Sequence, residues 1–284
     1  MVLREAVTQF KRAGLAFGHG THNARDEAVY LILHTLKLPL DELDSVLGRQ
    51  LSASELDAVR AILGRRVRER MPAAYLTHEA WLGEFRFYVD ERAIVPRSFI
   101  AELLRDGLVP WIADARRVRS VLDLCTGSGC LAVLAAHAFP EARIDATDIS
   151  AEALQVARRN VKDYALGKRI RLVQTDLFDR LDARRYDLIL SNPPYVNAAA
   201  MRALPREYRR EPRLALAGGR DGLALVHRML AQAAVHLHPD GLLVIEIGHN
   251  RAALEKAYPR LPFIWLDTSA GDEYVFMLRR EDLP

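Results

Sequence analysis

Tyr186-Asp187-Leu188-Ile189-Leu190-Ser191-Asn192-Pro193-Pro194-Tyr195 decides how the rest of the chain is read. Leu188-Ile189-Leu190 is a short apolar run between polar ends, the pattern of a strand buried in a parallel sheet. Ligands of open α/β sheets sit outside the carboxyl ends of their strands, so Asn192-Pro193-Pro194-Tyr195 lies where chemistry is expected. These residue types suit one task, the holding of a planar amide. Asn192 offers a side-chain carbonyl acceptor. Pro193 has no N–H but keeps its C=O, and its fixed φ stiffens the loop. Pro194 restricts Pro193 to an extended conformation, which points that carbonyl outward. Two acceptors can take the two hydrogens of an NH2 group, and Tyr195 offers a flat ring for stacking.

Outward from this stretch the chain alternates strand and helix from about residue 119, the signature of a doubly wound α/β sheet. Val121–Leu124, 142–147, 170–173, 188–190 and 242–247 read as strands. Residues 131–138, 151–161 and 222–237 read as the helices between them. Two further strands, 263–266 and 274–278, lie so close together that they can pair only as a hairpin, so the sheet ends in an antiparallel strand. Residues 97–112 read as a helix. The connection 196–220 has few periodic signals, and loops of that length often act as lids.

Before the sheet, residues 1–78 read as a small helical domain, to which substrate recognition is assigned. Helices are expected through Leu3–Leu15, over Asp26–Leu38 and from Ser52 to Val67, where Ser52 and Glu55 have capping-box spacing. Arg65, Arg66, Arg68 and Arg70 make a basic end on the third helix, either a solvated last turn or a contact to an RNA-binding or acidic protein partner, with an incidental RNA contact left open. Residues 79–96 read as a β-hairpin linker, and 97–284 as the catalytic domain.

A second motif, Asp123-Leu124-Cys125-Thr126-Gly127-Ser128-Gly129, joins the first sheet strand to a helix. Glycines there let the backbone turn sharply and approach a ligand. Gly127, Gly129 and Ala132 also fit Gly-x-Gly-x-x-Gly/Ala, so this loop alone leaves a dinucleotide open. Asp148 ends the second strand, where a carboxylate can accept bonds from both ribose hydroxyls. Asp176 ends the third strand and is followed by Leu177 and Phe178.

Together, Asn192–Tyr195 and the upstream glycine loop resemble the amino-methylating S-adenosylmethionine (SAM) methyltransferases, and the full chain resembles the protein-(glutamine-N5) methyltransferase family. The resemblance implies a Rossmann-like seven-stranded sheet with its last strand reversed, and SAM as cofactor. It implies Asn192, Pro193, Pro194 and Tyr195 as the catalytic motif. Asp123, Cys125, Thr126, Gly127, Ser128, Gly129, Asp148, Asp176, Leu177 and Asn192 would line the cofactor site, with Asp176 and Leu177 beside adenine. Family members act on peptide-chain release factors or on large-subunit ribosomal protein L-three. Val89-Asp90-Glu91-Arg92, Pro96-Arg97-Ser98-Phe99-Ile100-Ala101-Glu102 and the Cys125 form of the glycine loop are more similar to the L-three branch, although that branch usually has Pro where this chain has Phe99. Adenine-N6 methylation of nucleic acid shares Asn-Pro-Pro-Tyr, since a flipped adenine presents a similar planar NH2.

Composition bounds these readings. The chain has 284 residues, half of them apolar, and a net charge of +3. That charge does not by itself mark a nucleic-acid binder. The two cysteines, Cys125 and Cys130, flank the glycine loop and have neither metal-site nor disulfide spacing. No metal site is expected, and His236 and His238 are read as part of an exposed turn. Few cysteines, no secretory signal in residues 1–20 and no apolar run long enough to span a bilayer fit a cytoplasmic protein.

Overall fold

A computed structural model describes residues 1–182 and 184–284, and the side chains of all of these except 45 and 46. Apolar positions of α1 (Val2–Arg12), α2 (Ala24–Thr35) and α4 (Ala53–Glu69) converge on a separate core of Ala6, Phe10, Leu31, Val59 and Leu63. A single turn, α3 (Leu43–Val46), lies between α2 and α4. Asn23 caps α2 by accepting from the N–H groups of Arg25 and Asp26. At α4 the expected capping box forms: the Ser52 hydroxyl accepts from the Glu55 N–H, and Glu55 accepts from the Ser52 N–H. Each cap satisfies helix-end donors that have no partner within the helix.

After α5 (Ala73–Thr77), β1 (Ala80–Leu82) and β2 (Phe85–Phe87) form a hairpin shorter than the aromatic run suggested. Residues 93–96 are not a strand. The expected helix over 97–112 is also shorter, α6 (Ile100–Arg105). Gly107 and Leu108 take left-handed φ of 65° and 57°, the Leu108 N–H turns back onto the Leu103 carbonyl, and Pro110 follows. An apolar spacing that continues past this point therefore cannot stay helical.

The sheet comprises β3 (Ser120–Leu124), β4 (Arg143–Asp148), β5 (Ile170–Gln174), β6 (Tyr186–Ser191), β7 (Leu237–Glu246), β8 (Ile264–Thr268) and β9 (Gly271–Arg279). Their order is β5-β4-β3-β6-β7-β9-β8. β9 runs antiparallel to both neighbours, as the closing hairpin required, and it lies inside the sheet rather than at its edge. Helices cover both faces. α6, α7 (Cys130–Ala138) and α8 (Ala151–Asp163) bury one, while α10 (Ala224–Gln232) and α11 (Arg251–Ala257) bury the other. Strand order reverses between β3 and β6, so their carboxyl ends form the switch point at which such sheets bind ligands.

The connection 196–220 is not a free lid. It contains α9 (Ala198–Ala203) and single turns at Tyr208–Arg210 and Arg213–Ala215. Val196 bridges to Ala217, which folds the segment back on itself. Its two glutamates point inward against the helical domain. Glu207 accepts from Arg70 at 3.1 Å and lies 3.5 Å from Arg66. Arg66 is fully buried, and its Nε donates to Glu27 at 2.6 Å. Arg66 and Arg70 therefore bind domains together, and neither expected role, solvated turn or partner contact, applies to them. Arg65 and Arg68 remain exposed. His236 is also buried rather than exposed: its ring stacks on Phe178 at 4.6 Å, and its Nδ1 faces the Arg184 carbonyl at 3.0 Å. Among the described residues no helix is long and apolar enough to cross a membrane.

Candidate active site

Four strand ends supply the site, and parallel register brings them side by side. Leu124 pairs with Ser191 and with Thr147, and Asp148 pairs with Gln174. The loops 125–129, 148–150, 175–178 and 192–195 thus leave one edge of the sheet in order of their strands. The Ser191 hydroxyl donates to the Leu124 carbonyl at 2.8 Å, which ties the glycine loop to the start of Asn192–Tyr195.

The glycine loop is shaped from within. Asp123 is fully buried and accepts from the Thr126 hydroxyl at 2.5 Å. Burial pushes its carboxyl up to about 7. Its Oδ1 and the Ser128 Oγ are buried with no partner among the described residues. Cys125, Gly127 and Gly129 have φ of 59°, 56° and 80°. The glycines adopt that region at no steric cost, while Cys125 is held in it. A Cβ at Gly129 would fall 3.0 Å from the Ala157 Cβ, so glycine lets α7 approach α8 closely. Cys130 is buried, and burial pushes its thiol up to about 12, far from a reactive thiolate.

Asp148 faces this loop. Its Oδ2 accepts from the Gly127 N–H and its Oδ1 from the Ser150 N–H, both at 2.9 Å. Ser150, not Asp148, caps α8. Asp148 is thereby fixed in rotamer, and each oxygen keeps a lone pair for a further donor. On the next strand end, Leu177 sits at φ 47° and Asp176 accepts from Arg228 at 3.0 Å. Phe178 is already stacked on His236, which leaves Leu177 as the apolar neighbour of Asp176 that a flat ligand could meet. Ile149, half exposed beside Asp148, is a second apolar face that sequence reading missed.

Asn192–Tyr195 is clamped on every side. Asn192 Nδ2 donates to the Arg97 carbonyl at 3.0 Å. This fixes the amide so that Oδ1 is the free acceptor. Among the described residues the Pro193 carbonyl has no hydrogen-bond donor either. Asn250 Nδ2 donates to the Tyr195 carbonyl at 2.9 Å. Three glycines allow the close approach: a Cβ at Gly218 would lie 2.7 Å from the Tyr195 Cα, at Gly222 2.4 Å from the Tyr195 carbonyl oxygen, and at Gly248 2.7 Å from the Tyr195 ring. Burial, with Glu246 nearby, pushes the Tyr195 phenol well above its ordinary range, so it stays protonated.

Arg97 is held in turn by Glu211. The two make a bidentate pair at 2.8 and 2.7 Å, and Glu211 also accepts from the Val95 N–H at 3.0 Å. Burial alone would raise the Glu211 carboxyl, but Arg97 and His19 outweigh it and hold it well below the usual range. His19 reaches Glu211 at 3.4 Å from the helical domain. Tyr208 packs its ring on His19 and places its hydroxyl 3.3 Å from the Phe17 carbonyl. A chain of contacts therefore runs from the helical domain through Glu211 and Arg97 to the side chain of Asn192. Sequence reading found its last member and missed how the others meet. Among the described residues no group of three or more His, Cys, Asp or Glu side chains is placed to hold a metal.

Residues 107–206, which span the glycine loop and Asn192–Tyr195, match the Methyltransferase small domain. The chain is 60% identical over 282 residues to the ribosomal protein uL3 glutamine methyltransferase of Neisseria gonorrhoeae, covering 99% of this chain and 94% of that protein. The chain belongs to that family of glutamine methyltransferases. A Burkholderia pseudomallei protein of the same name is 56% identical, covering all of this chain and 94% of its own. A methyltransferase structure from Pyrococcus furiosus shares the fold with a TM-score of 0.50 at 17% identity, covering 70% of this chain and 90% of that one. With glutamine methylation shown as the family's activity, the adenine-N6 and dinucleotide readings fall away.

Glu246, at the end of β7, gives this site a pH signature. It is buried, accepts from the Ser98 hydroxyl at 2.6 Å and the Phe99 N–H at 2.9 Å, and burial pushes it up to about 7. Its folded pKa lies above its unfolded value, so the folded state binds the extra proton and stability falls as pH rises from about 4.5 to about 7. Glu246→Gln keeps the acceptor and removes the ionisation. Urea unfolding should show the variant gaining stability over wild type as pH rises from 5 to 8, by on the order of 1–3 kcal/mol; parallel pH profiles would remove the assignment.

Proposed function

We propose that this protein transfers a methyl group from SAM to the side-chain amide nitrogen of a glutamine in ribosomal protein uL3. One observation carries the reading: Asn192 Oδ1 and the Pro193 carbonyl are two unpartnered acceptors, rigidly held at the switch point of a methyltransferase sheet. Relatives named for this activity, matched over nearly the whole chain, support the substrate. The release-factor branch is the alternative, and no matched relative reported above carries that name. A ribosomal substrate supports a cytoplasmic location.

SAM fits the edge of the sheet beside this site. Asp148 would take the ribose hydroxyls, Gly127 and Gly129 the close approach of the backbone, and Leu177 with Ile149 the faces of adenine. Cys125 and Ser128 would line the loop. Asp123 and Thr126 are buried and would act by fixing its shape, with Asp176 held against Arg228 beside the adenine edge. When bound, SAM supplies an electrophilic methyl group.

The protein's own residues do the rest. Asn192 Oδ1 and the Pro193 carbonyl accept the two amide hydrogens, and Tyr195 and Pro194 hold the plane. The nitrogen's lone pair then points perpendicular to that plane, toward the methyl group. An amide nitrogen is a weak nucleophile, so orientation must supply much of the acceleration. As the nitrogen–methyl bond forms, the methyl–sulfur bond breaks and leaves a neutral thioether. The nitrogen gains positive charge, and both acceptors bind it more strongly than in the ground state. The methylated amide then loses one N–H proton to water. Tyr195 is protonated and supplies no base. We further propose that Glu211 is a positioning residue: it holds Arg97, whose carbonyl orients Asn192. Residues 1–78 act as the substrate-recognition domain, 79–96 as the linker and 97–284 as the catalytic domain.

Incubation with labelled SAM and purified uL3 or release factor, followed by mass spectrometry, tests the reading. Methyl on a uL3 glutamine is the expected result; methyl on the release factor alone would move the substrate, and methyl on neither would reject both. Asn192→Ala should retain SAM binding by calorimetry and lose about a hundredfold or more in turnover. Near-normal turnover in that variant is incompatible with the two-acceptor site.

A further inference from the structure

Between β6 and α10 the surface carries Arg202, Arg206, Arg209, Arg210, Arg213 and Arg220, all exposed. The two glutamates of the same stretch, Glu207 and Glu211, are buried and spent on Arg70 and Arg97. None of the six exposed arginines forms an ion pair with a described residue. Elsewhere exposed or half-exposed arginines commonly sit against a carboxylate, as Arg49, Arg65, Arg92, Arg119 and Arg251 do. Glu69, beside Arg210, has its carboxylate on Arg65, and Asp221, the next acid along the chain, faces His227.

The six charges lie on one segment that folds back on itself between Val196 and Ala217 and runs past the end of α4. Arg209 donates to the carbonyls of Leu204 at 2.9 Å and Arg202 at 3.3 Å, and Arg210 donates to the Glu69 carbonyl at the end of α4. Arg68, in the last turn of α4, is also exposed. At the other end of the segment, Gly218 packs on Pro194 and Tyr195. Uncompensated like charges repel one another, and a polyanion relieves that repulsion with release of counterions. Guanidinium groups match phosphate bidentately.

We propose that this arginine-rich segment binds the phosphate backbone of RNA, so that the enzyme takes uL3 while uL3 is seated on RNA. The inference rests on the uL3 reading above. It favours RNA over an acidic protein because a protein interface needs large buried anchors, and the only exposed large apolar side chain on this segment is Leu214.

Fluorescence anisotropy with a labelled single-stranded RNA tests it. Half of the six charges are removed by Arg202→Ala, Arg206→Ala and Arg213→Ala together, which touch no residue assigned to the active site. A control variant carries Arg117→Ala, Arg143→Ala and Arg260→Ala, which are also exposed. Wild type should bind RNA with strong salt dependence. The segment variant should lose about tenfold or more in affinity and about 2 in the slope of log K against log salt, at roughly 0.7 per phosphate contact. The control should bind as wild type does. Equal RNA affinity in the segment variant and wild type would overturn the proposal. Binding of polyglutamate but not RNA by wild type would overturn it in favour of an acidic protein.

A second readout separates this inference from the substrate reading. The segment variant should methylate free uL3 at the wild-type rate and lose about tenfold in kcat/KM on uL3 bound to an rRNA fragment. Equal loss on both forms would reject the RNA role. No methyl on uL3 in either form, with RNA binding intact, would reject the substrate reading instead.

Discussion

One hydrogen bond orders the site: Asn192 Nδ2 donates to the Arg97 carbonyl. An asparagine amide can present either end to a ligand, and only its oxygen can accept from a substrate NH2 group. Consumption of the nitrogen end by a fixed carbonyl settles the orientation before substrate arrives. That carbonyl is fixed because the Arg97 side chain is pinned by Glu211 in a buried bidentate pair. Breaking such a pair leaves an uncompensated buried charge, which typically costs about 3–5 kcal/mol, so the arrangement persists once formed. Preorganisation of this kind matters most for a weak nucleophile.

The same contacts join the two halves of the protein. Segment 196–220 carries Glu207 and Tyr208 to the helical domain and Glu211 to Arg97, and its Gly218 reaches the backbone of Pro194 and Tyr195. The helical domain is thus mechanically continuous with the loop that carries the two free acceptors of Asn192 and Pro193. The outer side of that segment carries only positive charge, which suits a substrate that arrives with RNA.

The strands and the two motifs were legible in the sequence because their signals are local. Leu188-Ile189-Leu190 shows its burial in three residues, and Asn192-Pro193-Pro194-Tyr195 shows its stiffness and its acceptors in four. The closing hairpin was legible from loop length alone. What stayed hidden depends on partners far along the chain. Glu211 meets Arg97 across 114 positions, and Arg66 meets Glu27 across 39. Such residues read as ordinary surface charges until the fold brings them together. Arg66 looked like one of four exposed arginines on a last helical turn, yet only burial separates it from Arg65 and Arg68. The helix over 97–112 was overextended because apolar spacing continues through a left-handed Gly107-Leu108 turn that spacing cannot reveal.

The account's central claim is that Glu211 acts on the reaction through Arg97 and Asn192, and a double-mutant cycle on uL3 methylation tests it most directly. Glu211→Gln, Asn192→Ala and the pair would be compared for kcat, KM for uL3 and SAM affinity in folded protein. The account predicts that Glu211→Gln lowers kcat by about tenfold or more with little change in KM or SAM affinity, and adds almost nothing once Asn192 is alanine, a coupling of about 1–2 kcal/mol. Losses in kcat that simply multiply, or an effect of Glu211→Gln confined to stability, would contradict it.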